Sequence, residues 1–334
     1  MKITIKDVAS RAGVSFQTVS NVINGRPVVA ESTRQRVLQA VKELGYQPNA
    51  SARSLRTHRT KTIALVVIAD ERGYLISAPY LDQAISGIID GTRDKDYFIL
   101  LYTVQPGQSA QQLEALFQQQ RIDGAIVAAA QLNEPFVEEL SNGPVPFVLL
   151  ERPVDGERAA SVQANSRLGG MRGVNYLVSR GYQHITFISG KLSWASAHQR
   201  QEGYRQGMIA AGLAEQIKII PGDWSLESGR RAAFELLQSP DPPEAIFVAN
   251  DVAAIGVLQA ARELGLSIPK DVAVMGYDDF SSASLVSPSL TTIHMPAYEI
   301  GLKAAELMLN YQQNGSFPTQ NILLDTHIVV RGSA

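Results

Sequence analysis

A chain of 334 residues, 45% hydrophobic and 19% charged, is long enough for two or three cores and has the composition of an ordinary soluble protein. It has no cysteine, which excludes disulfides, thiolate zinc sites and Cys nucleophiles, and no run of ~18 apolar residues of the kind that spans a membrane. The net charge of −2 hides two opposed regions: residues 1–61 carry eleven Lys and Arg against three Asp and Glu, and the remainder carries 19 against 29. A basic head is drawn to a phosphate backbone and an acidic body is repelled by it. The start, MKITIKDVAS, lacks the apolar segment of a secretory signal, so a cytoplasmic, nucleoid-associated location with no membrane partner is expected. The five histidines show no ligand spacing, no G-x-S-x-G elbow occurs, and Gly190-Lys191 is followed by Leu192 where a P-loop needs Ser or Thr. No metal, cofactor or catalytic constellation is expected.

Residues 7–24, DVASRAGVSFQTVSNVIN, read as two short amphipathic helices joined by a tight glycine turn. Thr4 is placed to cap the first helix, with Asp7 completing a T-x-x-D capping box, and Val8, Ala9 and Ala12 form its apolar face. Gly13 supplies the turn, Ser15 caps the second helix, and Val14, Val19, Val22 and Ile23 point inward. That leaves Phe16, Gln17, Thr18, Ser20, Asn21 and Asn24 outward, a face able to touch base edges and phosphates in a major groove. A third helix is expected from about Glu31 to Leu44, packed through Val37, Leu38, Val41 and Leu44 and ended by Gly45. Asn49 can cap the segment ASARSLRT, which is too short to hold a helix alone in water and reads either as a flexible basic linker or as a helix ordered on DNA.

From Thr62 onward short apolar runs (TIALVVI, YFILLYT, GAIVAAA, PFVLLE, HITFISG, AIFVA, VAVMGY) alternate with helical stretches. These helices are expected near Tyr80–Asp94, Ala110–Gln120, Leu168–Arg180, Ser196–Ala211, Leu226–Leu237 and Asp251–Leu264. Strand–helix alternation implies βαβ units and a parallel sheet, either one long sheet or two smaller ones, with ligands beyond the carboxyl ends of the strands. Those ends carry Glu151, Arg200, Trp224, Asn250-Asp251 and Tyr277-Asp278-Asp279. An indole face, an arginine, an amide and several carboxylates in one region suit a polyol. Each residue also has a plainer reading: Asn250 or Asp251 as a helix cap, Trp224 as core, Asp278 as part of a turn.

These residues together resemble the lactose-repressor/galactose-repressor (LacI/GalR) family of bacterial transcription regulators. The resemblance runs over essentially the whole chain, through IKDVASRAGVSFQTVSNVING, TRQRVLQAVKELGYQPNASARSL, DGAIV, Arg200 with Gly203, PGDWSLESG, FVANDVAAIGVLQAARELGLSIPKDVAVMGYDD and SPSLTTI. It implies an α/β protein: a three-helix helix-turn-helix headpiece (1–48), a hinge helix and linker (49–60), and a core resembling periplasmic binding proteins (61–334). The core would hold two doubly wound parallel-sheet subdomains, one of about 61–161 and 292–325 and one of about 162–291 and 326–334, with crossovers near 161–162, 290–293 and 324–327.

By the same resemblance Phe16, Gln17 and Asn21 read bases, and Leu55 wedges into the minor groove at the centre of a pseudo-palindromic operator bound by a homodimer. Gln17 can bond an adenine bidentately and Phe16 can touch a thymine methyl. Ser15, Thr18, Ser20 and Asn24 are assigned to phosphates, and Thr4, Asn49, Ala52, Arg53 and Arg56 complete the DNA-binding set. Glu151, Arg200, Trp224, Asn250 and Asp278 fall on the family's effector positions. The chain departs from the family where D-x-x-N-P-F-F is common: here it reads ADERGYLISAPYLDQ, leaving Tyr74 or Tyr80 to replace the usual aromatic. Glu151 stands where aspartate is common, and Met295 and Ala297 offer few polar contacts.

The expected function is a non-enzymatic, DNA-binding repressor relieved by a small carbohydrate. A regulator needing a purine or phosphorylated corepressor is the alternative, and a sugar-processing Rossmann-type enzyme is a weaker one, since no G-x-G-x-x-G occurs.

Overall fold

The computed structural model describes residues 3–23, 26–46, 59–68, 79–105, 107–129 and 131–334. Asn24, Asn49, Ala52, Arg53, Leu55, Arg56 and Tyr74 lie outside the described residues. The chain divides into two units, Met1–Thr60 and Lys61–Ala334.

The first unit contains α1 (Ile5–Ala12), α2 (Phe16–Ile23) and α3 (Glu31–Leu44). The Thr4 amide and hydroxyl both donate to the Asp7 carboxylate, at 2.8 and 2.7 Å. Such a cap secures a helix start by about 1 kcal/mol. Gly13 and Gly45 close α1 and α3 in the left-handed region, with φ of 64° and 60°, where a Cβ would be strained. Val8, Ala9, Ala12, Val19, Val22, Val37 and Ala40 make the core. Leu38, expected inside, is 44% exposed. Helical spacing brings Ala40, three residues after Val37, onto the inner face instead, and the small side chain lets α3 approach closely.

The second unit begins with β1 (Thr62–Ile68), α4 (Pro79–Arg93), β2 (Phe98–Val104), α5 (Gln111–Gln118), β3 (Gly124–Ala128), α6 (Pro135–Asn142), β4 (Phe147–Leu150) and β5 (Ala159–Ala164). It continues through α7 (Ser166–Ser179), β6 (Ile185–Ile188), α8 (Ala195–Ala210), β7 (Lys218–Ile220), α9 (Leu226–Leu237), β8 (Ala245–Val248), α10 (Asp251–Glu263) and β9 (Ala273–Asp278). The last elements are α11 (Ser281–Leu285), β10 (Thr291–His294), α12 (Ala297–Asn314), β11 (Asn321–Leu324) and β12 (His327–Val329).

The strands form two six-stranded sheets, ordered β11-β5-β4-β3-β1-β2 and β12-β10-β9-β8-β6-β7. Pairing is parallel except between β10 and β12. Both sheets are doubly wound in the same order, so each has a reversal point, between β1 and β3 and between β6 and β8, where ligands bind at carboxyl ends. Helices cover both faces of the central strands, and β3, β4, β6 and β8 are accordingly near-continuous apolar runs.

The chain leaves the first sheet after Ala164, returns after His294 and crosses again after Leu324. The first two crossings fall beyond the expected 161–162 and 290–293, because β5 and β10 each complete their pairing before the chain departs. Three helices were not anticipated from the pattern: α6, the short α11 and the 18-residue α12. α12 runs against α4 at backbone contact: a Cβ on Gly87 would lie 2.0 Å from the Tyr298 carbonyl, and one on Gly301 equally close to that of Ala84. Among the described residues no helix is long and apolar enough to cross a membrane.

Candidate ligand pocket and nucleic-acid interface

On α2, Ser15, Phe16 and Gln17 are exposed, Phe16 by 58%, while Thr18, Ser20 and Asn21 are half-buried. The Ser15 hydroxyl accepts the Thr18 amide at 3.1 Å and lies 2.9 Å from its hydroxyl. Ser15 thus caps the helix as expected, and the helix N-terminus it marks can hold a phosphate. Gln17 Nε2 donates to Asn21 Oδ1 at 3.4 Å, so these two amides share one face, one helical turn apart. Thr4 spends its polar atoms on Asp7.

In the second unit the sequence-predicted residues converge at strand ends. Arg200 comes from the first turns of α8, after β6, and is 3% exposed. Its Nη2 lies 2.8 Å from Asp278 Oδ1, and the same nitrogen is 3.3 Å from Met295 Sδ. Its Nη1 donates to the Ala249 carbonyl at 2.5 Å. The guanidinium sits 3.8 Å from the Tyr277 ring centroid and 5.5 Å from that of Trp224. Burial alone would weaken its hold on the proton, but Asp278, Tyr277 and Glu151 outweigh burial and raise its pKa. Its Nε is buried without a hydrogen-bond partner.

Asp278 ends β9 with φ 111°, and Asp279 follows with φ 61°, two consecutive non-glycine residues in the left-handed region. Asp251 holds this turn: one carboxylate oxygen accepts the Phe280 amide at 2.9 Å and the other the Thr292 hydroxyl at 2.6 Å. It is wholly buried, and burial with the neighbouring Asp278 pushes its pKa up to about 8. Burial likewise raises Asp278 to about 6 against the pull of Arg200.

Glu151 follows β4 with φ 67°, and its Oε1 accepts the Ala164 amide at 3.2 Å. Burial raises its pKa to about 7, Arg200 opposing and Asp278 adding to the rise. Tyr80, in the first turn of α4, has a buried hydroxyl without a partner. Burial and the Glu151 charge push its pKa well above the ordinary phenol value. Trp224 has φ 74° and a buried, unpartnered indole Nε1.

Asn250 has the plainer role already raised for it. Its Oδ1 accepts the Ala253 amide at 3.0 Å, capping α10, and its Nδ2 donates to the Trp224 carbonyl at 3.0 Å. The side chain is thus occupied at both ends, one capping α10 and the other holding the Trp224 backbone. Tyr74 lies outside the described residues.

Several pocket residues escaped the sequence reading. Trp194 packs on Trp224 with ring centroids 5.7 Å apart. Met295, noted only for lacking polar reach, supplies a sulfur to Arg200. Arg152 reaches the Gln131 carbonyl at 2.5 Å and that of Leu132 at 2.7 Å. Gln131 pairs with Trp194 in an antiparallel bridge, and the Leu132 amide donates to the Ser193 carbonyl at 2.8 Å. Two loops, one from each sheet, are thereby clasped together. The one available signal was that the chain's two tryptophans both fall just after strands of the second half.

The candidate pocket therefore offers an aromatic wall, a buried cation already paired, two carboxyl groups of raised pKa, and buried polar atoms on Tyr80, Arg200 and Trp224 that a ligand could satisfy. Buried polar groups are ordinarily bonded, so the orphaned atoms of Tyr80, Arg200 and Trp224 make these strand ends a candidate binding site.

Comparison with known proteins agrees with this geometry. Residues 4–49 match the family described as bacterial regulatory proteins, lacI family, and residues 174–334 match the periplasmic binding protein-like domain. The chain is 36% identical over 336 residues to the ribose operon repressor of Escherichia coli (strain K12), with 99% of each chain covered. A solved Lac repressor dimer, bound to operator and the anti-inducer ONPF, superposes with a TM-score of 0.83 at 27% identity, covering 100% of this chain and 99% of that one. The transcriptional regulator CelR in complex with cellobiose superposes with a TM-score of 0.73 at 31% identity, covering 99% and 100%.

Proposed function

This chain belongs to the lacI family of bacterial regulatory proteins, and on that premise we propose that it is a homodimeric transcriptional repressor released from its operator by a small carbohydrate. One observation carries the reading: a single chain joins a basic helix-turn-helix to a core whose strand-end pocket holds the Arg200–Asp278 pair beside Trp224. The protein is a regulator and not an enzyme.

Phe16, Gln17 and Asn21 read base edges, while Ser15, Thr18, Ser20 and the helix N-terminus hold phosphates. Asn24, Asn49, Ala52, Arg53, Leu55 and Arg56 extend this interface, with Leu55 at the centre of the operator. In the pocket the indole of Trp224 meets the C–H face of a sugar, and Arg200, Asp278 and Glu151 take its hydroxyls. A second copy of the chain meets the edge strand β2, where Phe98 and Leu101 are 71% and 52% exposed. The repressor works in the cytoplasm, where its operator lies.

Release follows from differential binding: the sugar favours one arrangement of the core, and only another lets paired hinge segments order on DNA. The test is operator affinity of the full chain, on a duplex selected from random sequence, with and without a neutral sugar that shifts its melting temperature. A fall in affinity on adding sugar is expected. A rise would establish corepression instead, and no change would refute ligand control.

A further inference from the structure

We propose that His294 and His327 form a chelating pair for a transition-metal dication (zinc, nickel or copper) where two of the chain's crossings between the sheets meet. The inference is independent of which ligand fills the strand-end pocket.

The pair is made by strand register. β10 and β12 are antiparallel, and their ladder sets Thr292 against Val329, Ile293 against Ile328 and His294 against His327. Residues directly opposite on an antiparallel ladder share a face, with Cβ atoms about 4.5–5.5 Å apart. The two imidazoles accordingly lie with ring centroids 4.6 Å apart and planes inclined by 31°. Rings so placed can each turn one nitrogen onto a shared ion. In the sequence the two histidines stand 33 positions apart, beyond the reach of any ligand-spacing motif.

One ring is already held as a ligand would be. His294 Nδ1 lies 3.0 Å from Asp279 Oδ2, and Asp279 Oδ1 accepts from Arg331 Nη2 at 2.6 Å. A carboxylate engaged by a guanidinium has no proton to give, so Nδ1 is the donor and the neutral ring keeps its lone pair on Nε2. A carboxylate behind the far nitrogen fixes the tautomer and orientation of metal-bound histidines and raises their basicity. Asp279 also offsets the charge of Arg331, so a dication reaching the neutral rings meets no uncompensated cation.

The place is open to solvent: the His294 side chain is 28% exposed and His327 is exposed. Among the described residues no group of three or more His, Asp or Glu side chains is arranged to hold a metal. The protein therefore gives two ligands and water completes the shell. Two imidazole donors favour zinc, nickel and copper over magnesium and calcium, which take oxygen.

This site is separate from the strand-end pocket. The ion pair of the pocket joins Arg200 to Asp278, whereas Asp279 takes Arg331 and His294. Its position has a mechanical consequence. His294 is the last residue of β10, before the chain returns to the first sheet, and His327 is the first of β12, after the chain has crossed back. A metal held by both ties these two crossings together and stabilises the core.

The experiment uses the full chain without an affinity tag, titrated calorimetrically with zinc, nickel and copper(II) chlorides and with magnesium chloride as control. One site per chain is expected at micromolar zinc or nickel, with copper tighter and magnesium silent. Pulsed electron paramagnetic resonance of the copper complex should show two coordinated imidazoles. His327→Ala, at an exposed position, should abolish binding at micromolar metal, and His294→Ala should do the same. Asp279→Asn, a residue tolerated at the left-handed φ of 61°, should weaken binding about tenfold. His184→Ala and His198→Ala should leave it unchanged. Zinc should raise the melting temperature of the native chain and leave that of His327→Ala where it was.

Binding only at millimolar metal, a single imidazole in the copper spectrum, or binding that survives His327→Ala would each overturn the proposal. Loss of binding in His184→Ala or His198→Ala would place the metal elsewhere and overturn it equally.

Discussion

Arg200 and Asp278 form a buried ion pair, 2.8 Å between Nη2 and Oδ1, with 4% and 8% of their side chains exposed. They come from different βα units of the second sheet, so the pair fixes the geometry of the pocket before any ligand arrives. Pairs of this kind add little net stability over an apolar substitute, yet removing one partner leaves a buried charge and costs about 3–5 kcal/mol. Preorganisation of this kind favours affinity by cutting the ordering cost of binding.

Arg200→Ala should therefore abolish sugar binding and lower the stability of the core by about 3–5 kcal/mol. Adding Asp278→Asn to it should recover part of the stability and none of the binding. Denaturant unfolding and calorimetry on the single and double variants check both. Retained sugar affinity in Arg200→Ala would remove this arginine from the binding site.

Asp251, Asp278 and Glu151 have folded pKa values of about 8, 6 and 7, all above those of exposed carboxyls. A group so raised stabilises the fold below its unfolded pKa, and the benefit is lost as pH rises through the folded value. Core stability should thus fall from pH 5 to pH 8. For Asp251 the slope approaches about 1.4 kcal/mol per pH unit. Asp251→Asn should flatten the melting temperature against pH above pH 6. Asp251→Ala, which strands the Phe280 amide and the Thr292 hydroxyl, should destabilise at every pH. A flat wild-type profile would refute the assignment of a protonated Asp251.

Gly190 lies against Trp224: a Cβ there would come within 2.3 Å of the indole. Gly190→Ala should displace the ring from the pocket, weaken sugar binding by about tenfold or more, and shift tryptophan emission. Emission and affinity unchanged from the wild type would show that the indole is not held by this contact.

Arg152, just after β4, clasps the Gln131 and Leu132 carbonyls and so steadies the loop after β3 that pairs with Trp194 in the loop after β6. Arg152→Ala should speed sugar dissociation about tenfold, the equivalent of about 1.4 kcal/mol, with a smaller effect on association. Stopped-flow tryptophan fluorescence reads both rates, since Trp194 is part of the clasp. An unchanged dissociation rate would mean that the clasp does not retain the ligand.

On DNA, Gln17→Ala should cost about 1–3 kcal/mol at the preferred operator and relax preference at one base pair in each half-site, with little change in salt slope. Titrations on single-substitution duplexes at two salt concentrations test this. A uniform loss across sequences, with a shallower slope, would reassign Gln17 to phosphate.

The pattern along the chain determined the headpiece almost residue for residue, because its helices are specified locally: Ser15 caps, Gly13 and Gly45 terminate, and the valines keep helical period. It also determined the central strands and α9 with its bounds, since strands buried on both faces read as apolar runs. The strand-end residues Glu151, Arg200, Trp224 and Asp278 were legible for the same reason: a βα repeat dictates where ligands must meet it.

The tertiary structure alone decided the rest. Leu38 and Ala40 exchange places because packing distance, not hydrophobicity, selects the inner residue. The crossings at Ala164 and His294 depend on how far β5 and β10 remain paired, a matter of neighbouring strands distant in sequence. That Asn250 is taken up within the protein depends on a contact 26 positions away, its amide donating to the Trp224 carbonyl. The pairing of Arg200 with Asp278, 78 positions apart in the sequence, and the raised pKa of Asp251, Asp278 and Glu151 come from burial and long-range proximity. Local pattern fixes which groups stand at the strand ends; only the fold decides which of them are already satisfied and which are left for a ligand.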